Sequence, residues 1–250
     1  MKPVYLFDVD GTLTAPLAQV DEEFAAVFLE WVEKYAPIVY LVSGSDLKKI
    51  QRQLLDTIVD SCAGVFCCSG NQFWQDGAIV SQQKFRAPSG LLKDLKIYLE
   101  QGAQYHIRTG NHIERRPGMI NFSVVGRKAN TAQRNAYARW DKGAREREDI
   151  VEYVTQLYPQ LDVVIGGSIS VDIYPKGNDK SQVVPIVRQL HGDDTPIIFV
   201  GDRNMPGGND WTLAQALEGD PHSHWFQVYS YQETRALIEH SELFIDEGGI

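Results

Sequence analysis

Asp8 and Asp10 stand two residues apart in Asp8-Val9-Asp10-Gly11-Thr12, directly after the apolar run Val4–Phe7. Residues two apart on an extended segment project to the same side, so the pair is expected to present its carboxylates together. Carboxylates that close repel, and one keeps a proton unless a cation is shared. Such a pair suits nucleophilic attack by one carboxylate beside acid/base catalysis by the other. A second acidic station, Gly201-Asp202-Arg203-Asn204-Met205-Pro206-Gly207-Gly208-Asn209-Asp210, follows the apolar run Ile197–Val200. If the two runs are neighbouring strands, Asp8, Asp10, Asp202 and Asp210 converge, and such a cluster calls for a hard dication with oxygen ligands, such as Mg²⁺. Ser43, closing the run Ile38–Val42, can give a hydroxyl to a phosphate, although Ser-Gly also simply marks a turn. Lys180, after Gly177-Asn178-Asp179, brings an ammonium to the start of a helix, where anions are favoured.

These stations need a frame. Val4–Phe7, Ile38–Val42, Val65–Cys68 and Ile197–Val200 read as short buried strands. Asp21–Tyr35 carries apolar residues at 24, 27, 28, 31 and 32, an amphipathic helix with Asp21 as its N-cap. Leu47, Ile50, Leu54 and Ile58 share a face of a helix running to about residue 60. Strand and helix in alternation predict a parallel sheet, which binds ligands at the carboxyl ends of its strands. Asp76-Gly77 reads as a hairpin turn. The pattern then changes. Leu91–Tyr98 is helical, His112–Glu114 and Met119–Val125 alternate about Pro117-Gly118, residues 131–158 read as one helical stretch, and Leu161–Ile165 pairs with Ile169–Tyr174 around Gly166-Gly167. Strands joined by tight turns predict an antiparallel α+β unit. From Asp179 the first pattern resumes, with a helix to about Leu190, the strand Ile197–Val200, a glycine-rich turn, the strand Phe226–Tyr229 and a helix over 231–240. The expected division is a core from 1–81 and 177–250, interrupted by an insert over 82–176.

Charge separates the two units. The 250 residues carry a net charge of −9, yet residues 81–150 sum to +7 and residues 202–250 to −7. An acidic chain of this kind discourages nucleic acid and anionic membranes as partners, while the basic middle predicts a small anion. No apolar run approaches the roughly 20 residues of a membrane span. Cys62, Cys67 and Cys68 are odd in number, match no zinc spacing, and read as small buried hydrophobes of a reducing compartment. With Asp8 interrupting the first apolar run, no secretory signal is expected. A cytoplasmic location follows as an expectation.

Asp8-Val-Asp10-Gly-Thr-Leu resembles the first motif of the haloacid dehalogenase superfamily, and Ser43, Lys180 and Asp202/Asp210 follow in that superfamily's order. Four longer stretches resemble the eukaryotic-type phosphomannomutases: Phe7–Pro16, Arg116–Arg127, Gly167–Pro175 and Gly201–Asp210. The resemblance spans nearly the whole chain, and Met205-Pro-Gly-Gly-Asn-Asp210 is much more specific than the superfamily's short motifs. It implies an α/β fold, a Rossmann-like parallel-sheet core of haloacid dehalogenase type with an inserted α+β cap. It also implies a phosphomannomutase interconverting mannose 6-phosphate and mannose 1-phosphate for GDP-mannose biosynthesis, with a hexose 1,6-bisphosphate as activator and a homodimer formed through the cap.

Residue by residue, the resemblance makes Asp8 the nucleophile that becomes an aspartyl phosphate and Asp10 the general acid/base. Asp8, the backbone carbonyl of Asp10, and Asp202 would hold Mg²⁺, supported by Asn209 and Asp210. Ser43 and Lys180 would hold the transferring phosphoryl group. Arg116, Arg127, Arg134, Ser170 and Asp172 match substrate-binding positions of the cap, with Met119 and Asn121 beside them. Forked hydrogen bonds from three guanidiniums suit a phosphate. Leu17 stands where the family carries a substrate-contacting arginine, and Asn178 where it carries tryptophan. Trp211–Ala216 offers no acid for a second cation, so one metal is expected. A Mg²⁺-dependent sugar-phosphate phosphatase, using the same Asp8 but passing the phosphoryl group to water, is the alternative. A non-catalytic sensor is disfavoured because both Asp8 and Asp10 are present.

Overall fold

The computed structural model describes residues 2–16 and 18–240. Its chain order is β1 (Val4–Phe7), α1 (Glu22–Tyr35), β2 (Ile38–Val42), α2 (Leu47–Gln53), α3 (Asp56–Ser61), β3 (Gly64–Cys67), β4 (Gln72–Gln75), β5 (Ala78–Gln82), α4 (Leu91–Ile97), β6 (Ile113–Arg116), β7 (Met119–Phe122), α5 (Thr131–Ala144), α6 (Glu146–Leu157), β8 (Leu161–Gly166), β9 (Ser170–Pro175), α7 (Val183–His191), β10 (Ile197–Gly201), α8 (Trp211–Leu217), β11 (His224–Gln227) and α9 (Tyr231–Glu239).

The strands form two sheets. One has seven strands in the order β11-β10-β1-β2-β3-β4-β5, the other four in the order β6-β7-β9-β8. In the larger sheet β11, β10, β1, β2 and β3 run parallel, and the β4–β5 hairpin completes one edge in antiparallel fashion. The central strands are buried on both faces, which explains why they read as continuous apolar runs rather than alternations. Phe24, Phe28 and Trp31 of α1 lie in one apolar cluster with Tyr5 and Phe7. Val183, Val184 and Val187 of α7 belong to a second cluster with Val4, Leu6 and Phe199. Successive residues of β1 thus serve opposite layers, as strand geometry requires.

The antiparallel sheet shows the alternation expected of a sheet with two different faces. Ile120, Phe122, Val171 and Ile173 join Tyr137, Ile150 and Val154 of α5 and α6 in a third cluster. Asn121, Ser170 and Asp172 project from the other face, which lies over the first sheet.

Local chemistry sets most boundaries. Asp21 accepts from Phe24 N at 3.0 Å and caps α1. Asn130 and Gln133 form a reciprocal capping box at the start of α5. Two stretches expected as single helices are broken. The helix after Ser45 divides at Leu54–Leu55, whose extended backbones end α2 and begin α3. The stretch 131–158 divides at Arg145, which adopts a left-handed conformation and closes α5 on Asp141 O. The buried Asp141 carboxylate accepts from Arg147 N and Nε, fixing that corner. Helix α8, following the glycine-rich loop, adds to the expected elements; it is seven residues long and has no side-chain cap.

Candidate active site

The order β10-β1-β2 places three strand ends side by side. Asp8 follows β1, Asp202 follows β10 and Ser43 follows β2, all at carboxyl ends. Asp8 is held by its backbone N–H to Val200 O and by Thr12 Oγ1, which donates to Asp8 Oδ2 at 3.3 Å. Lys180 enters from the turn before α7, fully buried. Its Nζ donates to Asp8 Oδ1 at 2.6 Å and also to Asp210 Oδ1. Burial works against the Lys180 charge, but Asp210 and Asp8 outweigh it and hold the ammonium above its ordinary pKa. Burial pushes the Asp8 carboxyl up to about 7, Lys180 opposing and Asp210 adding. Burial, then Asp8 and Asp210, push Asp202 up to about 8.

The loop carrying Asp202 and Asp210 is shaped by close approaches. Gly11, at φ +96°, has no room for a β-carbon beside the Asp202 carboxylate, and Gly208 none beside Arg203 O. Arg203 N donates to Asp210 Oδ2 at 3.1 Å, closing the loop on itself.

Carboxylate oxygens of Asp8, Asp202 and Asp210 lie within 4.8 Å of one another. The buried side-chain oxygen of Asn209 has no hydrogen-bond partner among the described residues. Three converging carboxylates with one ammonium, and an orphaned amide oxygen beside them, are the donor set of a hard cation. The residues present therefore fit a metal.

Asp10 does not join this cluster through its side chain, contrary to the convergence of four carboxylates expected from its spacing. Its carboxylate belongs to another set of partners. Ser45 Oγ donates to Asp10 Oδ2 at 3.2 Å, Lys49 Nζ pairs with the same oxygen, and Gln53 Nε2 donates to Oδ1 at 2.8 Å. Residues 45, 49 and 53 recur at intervals of four, so one face at and along α2 addresses Asp10. Ser43, almost fully buried, accepts from Ser45 N at 3.1 Å and lines the cleft between the sheets.

The opposite wall of that cleft comes from the antiparallel sheet. Arg116, Arg127, Arg134, Asn121, Ser170 and Asp172 all line it, facing Asp8, Asp10, Ser43 and Asp202. Asn121 Nδ2 donates to Ser170 Oγ at 2.9 Å and to Asp172 Oδ1 at 2.6 Å, while its own oxygen is buried without a partner among the described residues. Arg134 donates to Ala129 O and Arg127 O at 2.9 and 2.8 Å. Arg116 Nη1 crosses the cleft to Gly44 O at 3.1 Å. Arg203 Nη1 crosses it to Gly167 O at 3.2 Å. Burial, then Arg116, lower the Arg127 pKa, and burial lowers that of Arg134. For Arg116 burial is outweighed by Asp172 and Glu114, and its pKa rises.

Three of the sequence-predicted residues, Met119, Lys180 and Asp210, are buried and do not line the cleft themselves; Lys180 and Asp210 lie behind Asp8, and Met119 lies elsewhere. It stands on the same face as Asn121, but its side chain is buried in the apolar cluster that also contains Cys68 and Tyr174. Its side chain joins the two layers. Leu17 lies outside the described residues. Ser45, Lys49, Gln53, Arg203 and Glu114 are site residues that the motifs do not reveal. The four-residue recurrence of Ser45, Lys49 and Gln53 was the available signal for the first three.

Residues 26–244 match the family described as "Eukaryotic phosphomannomutase". The chain is 36% identical to a phosphomannomutase of Spinacia oleracea over 217 residues, covering 84% of this chain and 85% of that protein. It is 36% identical to a phosphomannomutase of Schizosaccharomyces pombe over 224 residues, covering 85% of each. Its fold is similar to that of a haloacid dehalogenase-like hydrolase from Bacteroides thetaiotaomicron, with a TM-score of 0.60 at 11% identity over 96% of this chain and 100% of that one. The fold is therefore α/β of haloacid dehalogenase type, a parallel-sheet core carrying an α+β cap, and the chain belongs to the eukaryotic phosphomannomutase family.

Proposed function

We propose that this chain is a phosphohexomutase that interconverts mannose 6-phosphate and mannose 1-phosphate through phospho-Asp8 and a hexose bisphosphate. One observation carries the reading. A single cleft is lined on the core wall by Asp8, with Lys180 bonded behind it, and on the cap wall by Arg116, Arg127 and Arg134, and we read the two as unlike anion sites. A monoester phosphatase needs the first alone, whereas a bisphosphate intermediate needs both.

Asp8 is the nucleophile. Its Oδ1 is oriented by Lys180, and a phosphoryl group seated there would share that ammonium and the Ser43 hydroxyl. Phosphoryl transfer depends on position and charge neutralisation more than on covalent assistance, and both side chains supply these. Mg²⁺, held by Asp8, Asp202 and the Asp10 carbonyl with Asn209 and Asp210 in support, would neutralise charge on the transferring group. One such ion is assigned. Asp10 is the general acid/base. Lys49, Ser45 and Gln53 hold its carboxylate toward the cleft, where it takes the proton of the sugar hydroxyl that attacks phospho-Asp8. In the reverse transfer it returns that proton to the leaving hydroxyl. On the cap wall Arg116, Arg127 and Arg134 take the phosphate that is not reacting, while Asn121, Ser170 and Asp172 take sugar hydroxyls. The bisphosphate then turns end over end and presents its other phosphate to Asp8. Cross-cleft bonds from Arg116 and Arg203 favour a closed arrangement that keeps water from phospho-Asp8.

A hexose 1,6-bisphosphate would prime the enzyme by phosphorylating Asp8. The proposed unit is a homodimer through the cap, working in the cytoplasm upstream of GDP-mannose. Three free cysteines accord with a reducing compartment, and no helix among the described residues is long and apolar enough to cross a membrane.

The deciding experiment incubates the protein with Mg²⁺, mannose 1-phosphate and a trace of hexose 1,6-bisphosphate, and measures mannose 6-phosphate and free phosphate. Isomer in large excess over free phosphate is expected. Phosphate release without isomer would identify a phosphatase instead.

A further inference from the structure

Glu114 stands among the cap arginines. Its strand β6 puts Glu114 and Arg116 on one face. The strand registers align Glu114 with Asn121, and Asn121 with Asp172, in one cross-strand row. Glu114 Oε2 accepts from Arg116 Nε at 2.8 Å and from Arg116 Nη2, and it lies 3.6 Å from Arg127 Nε. Its side chain is half-buried. With Nη1 given to Gly44 O, Arg116 has a hydrogen bond from each of its three nitrogens. Arg134 is tied down differently, by backbone carbonyls alone. Two of the three guanidiniums therefore share one carboxylate that is not in the cleft lining but stands beside it.

Resting on the mutase reading above, we propose that Glu114 is a positioning residue that sets how tightly the cap grips phosphate, so that the bisphosphate intermediate can be released to turn. A phosphate monoester brings nearly two negative charges to three guanidiniums. An uncompensated clamp would bind substrate and transition state with the same added strength, which lowers KM without raising kcat. It would also slow the release that reorientation requires. Glu114 neutralises part of the clamp. It also gives Arg116 and Arg127 a partner when the phosphate departs, so release exchanges one acceptor for another and leaves no bare pair of like charges.

The test uses Glu114→Gln, which keeps shape and size and removes the charge. Calorimetric binding of mannose 6-phosphate in Mg²⁺-free buffer should tighten on the order of tenfold, the effect of strengthening one charge-assisted contact. KM and kcat for mutase turnover should both fall. Glu114→Asp, which keeps the charge but withdraws it by one methylene, should lie between wild type and Glu114→Gln, and it decides the matter if the amide variant does not fold. Unchanged or weaker binding in either folded variant, or a raised KM at unchanged kcat, overturns the assignment of Glu114. A wild-type protein that binds mannose 6-phosphate yet makes only inorganic phosphate overturns the mutase reading itself, so the two failures are separable.

Discussion

Lys180 Nζ lies 2.6 Å from Asp8 Oδ1, joining residues 172 positions apart in a pair with almost no solvent exposure. A buried pair is costly to assemble and more costly to break, because the survivor is left charged and unpartnered. Removing one member typically costs about 3–5 kcal/mol. Lys180→Met should therefore lower stability by a few kcal/mol in Mg²⁺-free denaturation. Turnover should fall by roughly 10²-fold or more, as when one electrostatic donor to a reacting group is lost. A variant with native stability and near-native turnover would remove Lys180 from the chemistry.

The Asp8 and Asp202 carboxyls keep their protons up to about 7 and about 8, against roughly 4 in an unfolded chain. Over that window the folded state binds more protons than the unfolded one, so stability falls as pH rises. The stabilising contribution is full below about pH 4 and is lost as pH passes the folded values. Mg²⁺ takes the deprotonated carboxylates and opposes the loss. Thermal unfolding with and without Mg²⁺ should show a gain in Tm that is small near pH 5 and grows toward pH 8. A gain independent of pH would contradict the carboxylate cluster as the metal site.

Lys49 and Asp10 form a pair that solvent partly reaches. Its contribution to folding should be below about 1 kcal/mol, but its effect on an acid/base group should be larger. Lys49→Met is expected to reduce mutase kcat by about 10- to 100-fold while shifting Tm little, with Lys49→Arg recovering part of the loss. Matched losses of stability and activity would make the pair structural.

Arg134→Ala should reduce mutase turnover by roughly 10²-fold and change hydrolysis of a small aryl phosphate by less than about threefold. The aryl ester needs only the core wall, whereas the hexose bisphosphate needs both. Rates on both substrates, measured in parallel, check this. Equal losses would assign Arg134 to holding the 127–129 segment, whose carbonyls it bonds.

Much of this arrangement is legible in the sequence. The apolar runs of β1, β2 and β10 ending in Asp8, Ser43 and Asp202 place three residues of the core wall, because parallel strands converge their carboxyl ends wherever the order permits. The neighbouring of β1 and β10 was a condition that sequence could state but not supply. Asp10 shows the limit of spacing. It lines the same cleft as Asp8, yet the chain turns after Val9 and its carboxylate bonds Ser45, Lys49 and Gln53 instead of joining the cluster of Asp8, Asp202 and Asp210. Met119 shows another limit. Strand parity puts it on the same face as Asn121, but parity says nothing of which neighbour covers that face, and the core apolar cluster covers the Met119 side chain. Arg145 marks a third limit, since its left-handed break lies within a helix-forming stretch, where the local bonds from Arg147 to Asp141 and the longer-range bond from Arg147 Nη1 to Gly167 O hold the corner.

The strand order β11-β10-β1-β2 has a consequence for how the protein is made. Strand β1 leaves the ribosome well before its partner β10, which begins at residue 197. Between them the chain emits the complete antiparallel sheet and its helices, whose pairings are comparatively local. Contacts of long sequence separation form late because their closure entropy must be met first. The nascent cap can therefore collapse while one edge of β1, with Asp8 at its end, still waits for a partner. That exposed edge makes the interval between synthesis of the cap and synthesis of β10 the one in which misassembly threatens most.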